Sequence, residues 1–259
     1  MECPIKGRAL VYGPFISRRR GISIGINLFP GRKTCSFNCV YCFRGATQYK
    51  VNSLVDDLYG IKPSNLYKAL EKAYECIRHI DAIDFSGNGE PTLHIRFSEF
   101  IDVVRRFCHD YGLDPNVGVF TNASTLYMLN VLNALKKLDT IEAKLDTCTP
   151  WKYKIINRPC KSVNLDMIIN GLIKLRKEYS GKLIIQIMLL KYYDTLNYTA
   201  RDSQLMAEVL NMIKPDEVHI YTTYRKPRLK SIKRVNEDDM RRFSEALVNY
   251  GFNVKIYPH

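Results

Sequence analysis

"AIDFSGNGEPTLHIRFSEFIDVVRRFCHDYG" (residues 82–112) holds the pattern that decides the fold. "AIDFSG" (82–87) reads as a short strand, a glycine-rich turn follows, and 96–112 continues with apolar residues at helical spacing until Gly112 ends it. Strand, turn and helix make one βα unit. The unit recurs in both directions. Upstream, "GISIGINLF" (21–29) is a strand and "SNLYKALEKAYECIRHI" (64–80) a helix capped by Ser64. Downstream, strands at 116–122, 140–146, 182–191 and 216–224 alternate with helices near 124–137, 164–179, 201–213 and 236–251, and "NVKIYP" closes the chain as a short strand. Six such units in succession predict an α/β fold with a parallel sheet covered by helices. Right-handed crossovers curl such a chain toward a barrel or an open wound sheet. No linker, repeat or low-complexity tract divides it, so a single domain is expected over 1–259, with 1–20 as an N-terminal extension and 252–259 as the terminal strand.

Ligands of parallel α/β folds sit at the carboxyl ends of the strands. In "IEAKLD", Glu142, Lys144 and Asp146 share one face because strand side chains alternate with period two. Charges on a buried strand are costly unless they pair or meet a polar ligand. Glu217, His219, Tyr221 and Thr223 repeat the habit in "DEVHIYTTY", and Gln186 adds to it in "LIIQIML". A barrel lined by these groups suits a polar ligand. In "FSGNGEPTL" (85–93), two glycines past a strand end let backbone groups approach a ligand closely.

The balance of 39 Lys and Arg against 26 Asp and Glu gives a net charge of +13, which suits a polyanionic partner such as RNA. The densest basic tracts, "SRRRG" (17–21) and "YRKPRLKSIKR" (224–234), read as loops with exposed side chains. The longest apolar run, "KLIIQIMLL" (182–190), is strand-sized and too short to span a membrane, and the start lacks the apolar stretch of a signal peptide. A cytoplasmic protein without a membrane partner is expected. There its eight cysteines stay reduced, as metal ligands, catalytic groups or buried residues. Cys76 and Cys108 fall in helices and read as ordinary buried thiols.

Three of the eight stand together. "TCSFNCVYC" (34–42) places Cys35, Cys39 and Cys42 at C-x-x-x-C-x-x-C, while Cys3, Cys148 and Cys160 are scattered. Structural zinc prefers four ligands, usually as two separated cysteine pairs, and no second pair exists. A [4Fe–4S] cluster takes four thiolates, so three on one loop leave one iron open to a substrate or cofactor.

With Tyr41 as the aromatic of C-x-x-x-C-x-aromatic-C, and βα units following, the chain resembles the radical S-adenosylmethionine superfamily. "GNGEP" is similar to that superfamily's glycine–glycine–glutamate motif at the second strand. "FTNAS", "KLDTCTPWKYKIINRP" and "IQIMLL" follow in the order seen in a subgroup of iron–sulfur oxidoreductases related to the enzyme forming the tricyclic wyosine base of transfer RNA.

The resemblance implies a partial (β/α)6 TIM-type barrel and two cofactors, a [4Fe–4S] cluster and S-adenosyl-L-methionine. Cys35, Cys39 and Cys42 would ligate the cluster, and the amino and carboxylate groups of S-adenosylmethionine would fill its open iron. Backbone around Tyr41 would face the adenine. Gly87, Gly89 and Glu90 would hold the methionyl ammonium, and Thr121, Asn122, Lys144 and Asp146 would contact the carboxylate or ribose. Gln186, His219 and Tyr221 would line the cofactor or substrate side. An external one-electron donor of the ferredoxin or flavodoxin type would reduce the cluster. One electron passed to the sulfonium would yield methionine and a 5′-deoxyadenosyl radical that takes hydrogen from the substrate. The cofactor supplies that chemistry and the protein supplies position.

Relatives of the wyosine-forming enzyme carry an extra cysteine set ahead of the main motif. Here only Cys3 lies upstream, which argues against the same route. RNA, as in transfer-RNA modification, is the favoured substrate class. The alternatives are a radical enzyme for a small metabolite or peptide, a non-catalytic iron–sulfur protein for RNA binding or electron transfer, and a zinc protein.

Overall fold

The computed structural model describes residues 9–17, 19–56, 60–224, 227 and 229–258. Residues 1–8 of the expected N-terminal extension, Cys3 among them, with Arg18, residues 57–59, Arg225, Lys226, Arg228 and His259, lie outside them.

The chain opens with a hairpin, β1 (Val11–Ser17) antiparallel to β2 (Gly21–Ile26). Two-residue strands, β3 (Thr34–Cys35) and β4 (Tyr49–Lys50), pair in parallel and frame the cysteine loop. Regular alternation follows: α1 (Pro63–Cys76), β5 (Ala82–Phe85), α2 (Phe97–Asp110), β6 (Asn116–Thr121), α3 (Leu129–Leu135) and β7 (Thr140–Lys144). A short helix, α4 (Pro150–Ile156), precedes α5 (Leu165–Glu178). Then come β8 (Lys182–Met188), β9 (Lys191–Tyr192), β10 (Thr195–Leu196), α6 (Ala200–Ile213), β11 (Glu217–Tyr221), β12 (Ile232–Lys233), α7 (Glu237–Asn249) and β13 (Val254–Tyr257).

The main sheet has eight strands in the order β1-β2-β5-β6-β7-β8-β11-β13, each parallel strand beside its sequence neighbour. Every pairing after the opening hairpin is parallel. Sequential order with a helix in every crossover is the topology of a partial TIM-type barrel, and the fold is a single α/β domain.

The helices lie outside the sheet. Leu66 and Leu70 of α1, Phe100 and Val104 of α2, Leu172 of α5 and Leu210 of α6 are fully buried against residues such as Ile83, Val119, Ile141 and Ile185. Helix starts obey capping chemistry: Asn164 accepts from Met167 N, Asn236 accepts from Asp239 N, and Thr199 with Asp202 forms a reciprocal box.

Two differences from the sequence reading stand out. Residues 11–17, taken as extension, form an edge strand whose register shifts between Tyr12 and Phe15, around Pro14. Edge strands tolerate proline because the missing donor faces no partner. Helix α1 ends at Cys76 because Ile77 turns extended, four residues short of the expected end.

Candidate functional site

The cysteine loop crosses the carboxyl ends of the strands, where three neighbours pin it. Glu90 N donates to Thr34 O at 2.9 Å and Thr34 N to Asn88 O at 3.3 Å, tying β3 to the GNGEP turn. Val40 N donates to Ile156 O at 2.9 Å, tying the loop to α4. Beneath, Val40, Tyr41, Ile156, Leu190, Tyr192 and Ile232 form an apolar cluster apart from the main core. It seats the loop on the three-stranded sheet β10-β9-β12. Gly89 makes this closeness possible. Its φ is +139°, and a Cβ there would lie 1.8 Å from Thr34 O.

Cys35, Cys39 and Cys42 are free, half-buried thiols. Each sulfur faces an N–H. Phe37 N and Asn122 Nδ2 lie 3.4 and 3.5 Å from Cys35 Sγ, Asn157 Nδ2 lies 3.7 Å from Cys39 Sγ, and Lys33 Nζ lies 3.0 Å from Cys42 Sγ. Burial, then nearby negative groups, raises the Cys35 thiol and pushes Cys39 up to about 11. Thiols held protonated by burial become thiolates when a metal takes the proton's place, and N–H donors then stabilise the sulfurs. Among the described residues no three His, Cys, Asp or Glu side chains converge tightly enough for one ion. A soft sulfur set spread along a loop fits a cluster of several irons better than a single tetrahedral zinc.

The remaining expected site residues fall into three groups. Glu90 is buried and spent on the scaffold: Oε1 accepts from the hydroxyls of Thr92 and Thr121, each at 2.7 Å, and Oε2 from Asn122 N at 2.6 Å. It thereby locks the end of β5 to the end of β6. Gly87 packs on Asn27, which also accepts from Asn88 N.

The second group surrounds Asp146. This buried carboxylate accepts from Tyr41 Oη at 2.5 Å, Asn157 Nδ2 at 2.6 Å and Met188 N at 2.9 Å. Lys144 Nζ sits 3.3 Å away and over the rings of Tyr41 and Tyr221. Although burial opposes its charge, Asp146 and Tyr221 hold the Lys144 ammonium above its ordinary pKa. Asn157, a residue the sequence did not single out, links Asp146 to Cys39.

The third group descends into the barrel. Tyr221 Oη donates to Gln186, and Gln186 Nε2 donates to Glu142. His219 lies in this deeper layer, with Nε2 2.8 Å from Glu217 Oε2 and its ring against Tyr257. Burial lowers its pKa.

The floor of this network corrects the reading of "SRRRG" as an exposed loop. Arg19 Nη1 bonds Glu142 Oε2 at 2.8 Å, and Arg20 Nη2 bonds Asp84 Oδ1 at 2.7 Å. The two guanidiniums plug the barrel from the hairpin turn. Gly118 makes room, since a Cβ there would lie 2.4 Å from Arg20 Nη2. The signal was Asp84 and Glu142 themselves, two acids on buried strands that demand positive partners.

The other cysteines are dispersed. Cys108 is buried as expected, whereas Cys76 is half-buried and disulfide-bonded, correcting its reading as a free thiol. Cys148 Sγ lies 3.6 Å from Met206 Sδ, and Cys160 N donates to Ser36 O beside the cysteine loop. No helix among the described residues is long and apolar enough to cross a membrane.

No family model matches the chain. A UPF0026 protein of Synechocystis is 34% identical over 210 residues, 81% of this chain and 74% of that protein. A UPF0026 protein of Methanocaldococcus jannaschii is 33% identical over 226 residues, 86% of this chain. A Brachyspira hyodysenteriae protein named GTPase Obg is 31% identical over 230 residues, 89% of this chain. The chain spans only 66% and 32% of the lengths of the last two. Among solved structures, a radical SAM methyltransferase from Sphaerobacter thermophilus aligns at a TM-score of 0.64 and 14% identity, over 93% of this chain and 67% of its own. Streptococcus suis SuiB bound to S-adenosylmethionine aligns at 0.61 and 17% identity, over 87% and 48%. At such identities the likeness is one of fold.

Proposed function

The chain belongs to the UPF0026 family, and from that premise and the geometry of its cysteine loop we propose that it is a radical S-adenosylmethionine enzyme. The observation that carries the reading is the set of three free thiols on one pinned loop, each sulfur faced by an N–H, at the carboxyl ends of a partial barrel. Cys35, Cys39 and Cys42 would hold a [4Fe–4S] cluster. A reduced cluster held there would supply the electron for reductive cleavage of S-adenosylmethionine.

The chain's own residues position and shield. Gly89 and Glu90 hold the turn against the cysteine strand, so that backbone groups of Gly87 and Gly89 present themselves to the methionyl end. Thr121 and Asn122 are fixed by Glu90 at the next strand end. Asp146, through Tyr41 and Asn157, sets the far side of the loop, and Lys144 offers a positive charge to the carboxylate or ribose. Gln186, Tyr221 and His219 continue that polar lining inward. Residues 1–259 act as one catalytic unit, served by an external one-electron donor of the ferredoxin or flavodoxin type. RNA, as in transfer-RNA modification, is the substrate class favoured by the +13 charge.

The test is anaerobic reconstitution with iron and sulfide, then reductant and S-adenosylmethionine. Formation of 5′-deoxyadenosine, lost in Cys42→Ala, is the expected result. A brown protein that never cleaves the cofactor overturns the reading in favour of a non-catalytic cluster.

A further inference from the structure

The net charge is not spread over the molecule. Six segments join the carboxyl ends of parallel strands to the helices that follow: 27–62, 86–96, 122–128, 145–164, 189–199 and 222–236. Together they contain 17 Lys and Arg against 5 Asp and Glu, while the rest of the chain carries 22 against 21. Among the described residues these segments carry 14 Lys and Arg against 4 Asp and Glu, a net +10 on one face. Burial leaves that balance unchanged, because it removes two acids, Glu90 and Asp146, and two bases, Lys33 and Lys152, from the outward surface.

Ion pairs offset part of the basic charge on the helix side. Arg105, Arg176 and Arg241 on the helices pair with Asp139, Asp216 and Glu237. Arg32, Lys50, Lys154, Lys161 and Lys233 are exposed, and among the described residues none of them pairs with a carboxylate. A solvated surface that merely keeps a protein soluble mixes both signs. Exposed lysines without a carboxylate partner occur on the helices as well, as at Lys68, Lys72, Lys174 and Lys177, so the loop face is marked by its scarcity of acids.

Charge alone would serve any polyanion, but the aromatic residues narrow the choice. Among the described residues, six of nine exposed Phe, Tyr and Trp side chains lie on these loops, including Trp151, Tyr193 and Tyr224 at 52%, 66% and 67% exposure. Aromatic faces interleaved with unpaired cations form the arrangement that stacks unpaired bases while cations track the phosphates. An acidic peptide would use the charges and leave the rings idle.

We propose that the face formed by the six strand-end loops is an RNA-docking surface for single-stranded or looped segments, whose bases stack on exposed aromatic side chains around the cysteine loop. The proposal rests on the radical-enzyme reading only for what happens to the RNA once bound. It deepens that reading by assigning the side chains that deliver the substrate.

The experiment measures binding of a fluorescent single-stranded RNA of mixed sequence to the reconstituted protein by anisotropy, from 50 to 300 mM salt. Lys154→Gln/Lys161→Gln/Lys233→Gln should weaken binding more than tenfold and flatten the log–log salt slope by about 2, at ~0.7 per lost phosphate contact. Tyr193→Ala/Tyr224→Ala should weaken it about fivefold or more without changing that slope. Arg105→Gln/Arg241→Gln, on the helix face, should change nothing. Equal loss from both faces overturns the proposal, as does polyglutamate competing as well as RNA, or an aromatic double variant that binds normally. Cofactor cleavage without RNA is measured on the same variants. If it persists while RNA binding fails to localise, the docking surface falls and the radical reading stands. RNA binding that localises as stated in a protein that never cleaves the cofactor leaves the surface standing and removes the enzyme.

Discussion

Gly89→Ala tests how tightly the cysteine strand depends on the glycine turn. At φ +139° an L side chain is strained, by about 1–3 kcal/mol. The added Cβ would also lie 1.8 Å from Thr34 O, so the two backbones must part by more than an ångström. That movement disrupts the 2.9 Å hydrogen bond from Glu90 N to Thr34 O, worth about 1 kcal/mol net. The total is roughly 2–4 kcal/mol, which for a chain of this size lowers Tm by ~4–16 °C. Gly112→Ala is the control: φ is +60° and nothing lies within 4 Å, so only the left-handed backbone cost of about 1 kcal/mol applies. Thermal unfolding of both variants gives the comparison, and iron content after reconstitution gives a second readout, since Thr34 adjoins Cys35. Equal melting temperatures with equal iron content would refute the claim that this contact sets the loop.

Three further outcomes follow from named contacts. Arg20→Ala leaves Asp84 without its buried partner, while Glu142 keeps Arg19, and should cost about 3–5 kcal/mol, read as a urea midpoint; a loss under 1 kcal/mol would mean the guanidinium is not the plug described. Lys33→Met removes the ammonium 3.0 Å from Cys42 Sγ and should lower the potential of the reconstituted centre by on the order of 100 mV in an electron-paramagnetic-resonance redox titration; an unchanged potential contradicts the contact. Burial opposes the Glu217 charge, but hydrogen bonds from Lys182, Lys255 and His219 outweigh it and hold the carboxyl at about 2 against an ordinary 4.5. The stability it contributes is present above pH 4.5 and lost as pH falls toward 2, so Glu217→Gln should flatten the acid limb of the stability curve, and parallel limbs would contradict this.

The layered pattern of the chain was legible because each βα unit announces itself locally: alternation in "TIEAKLD", helical spacing in 96–112, a glycine at the stop. Local signals failed where partners are distant in sequence. Strand β1 hides behind Gly13 and Pro14 and is recruited by β2 at the sheet edge. Helix α4 has seven residues, too few to show a period. Arg19 and Arg20 looked solvated because the acids that bury them sit 64 and more positions away. The cysteine set was visible from spacing, but its supports, Asn157 and Lys33, emerge only once the loop is folded. Glu90 was read as a ligand contact, and in the structure its oxygens brace two strand ends.

The central claim is that three thiolates leave one iron open for S-adenosylmethionine. The most direct measurement is electron–nuclear double resonance on the anaerobically reduced, reconstituted protein, with the cofactor labelled at its amino nitrogen. Hyperfine coupling from that nitrogen, on a centre of about four irons per chain, is the predicted result. A spectrum indifferent to the cofactor would contradict the account.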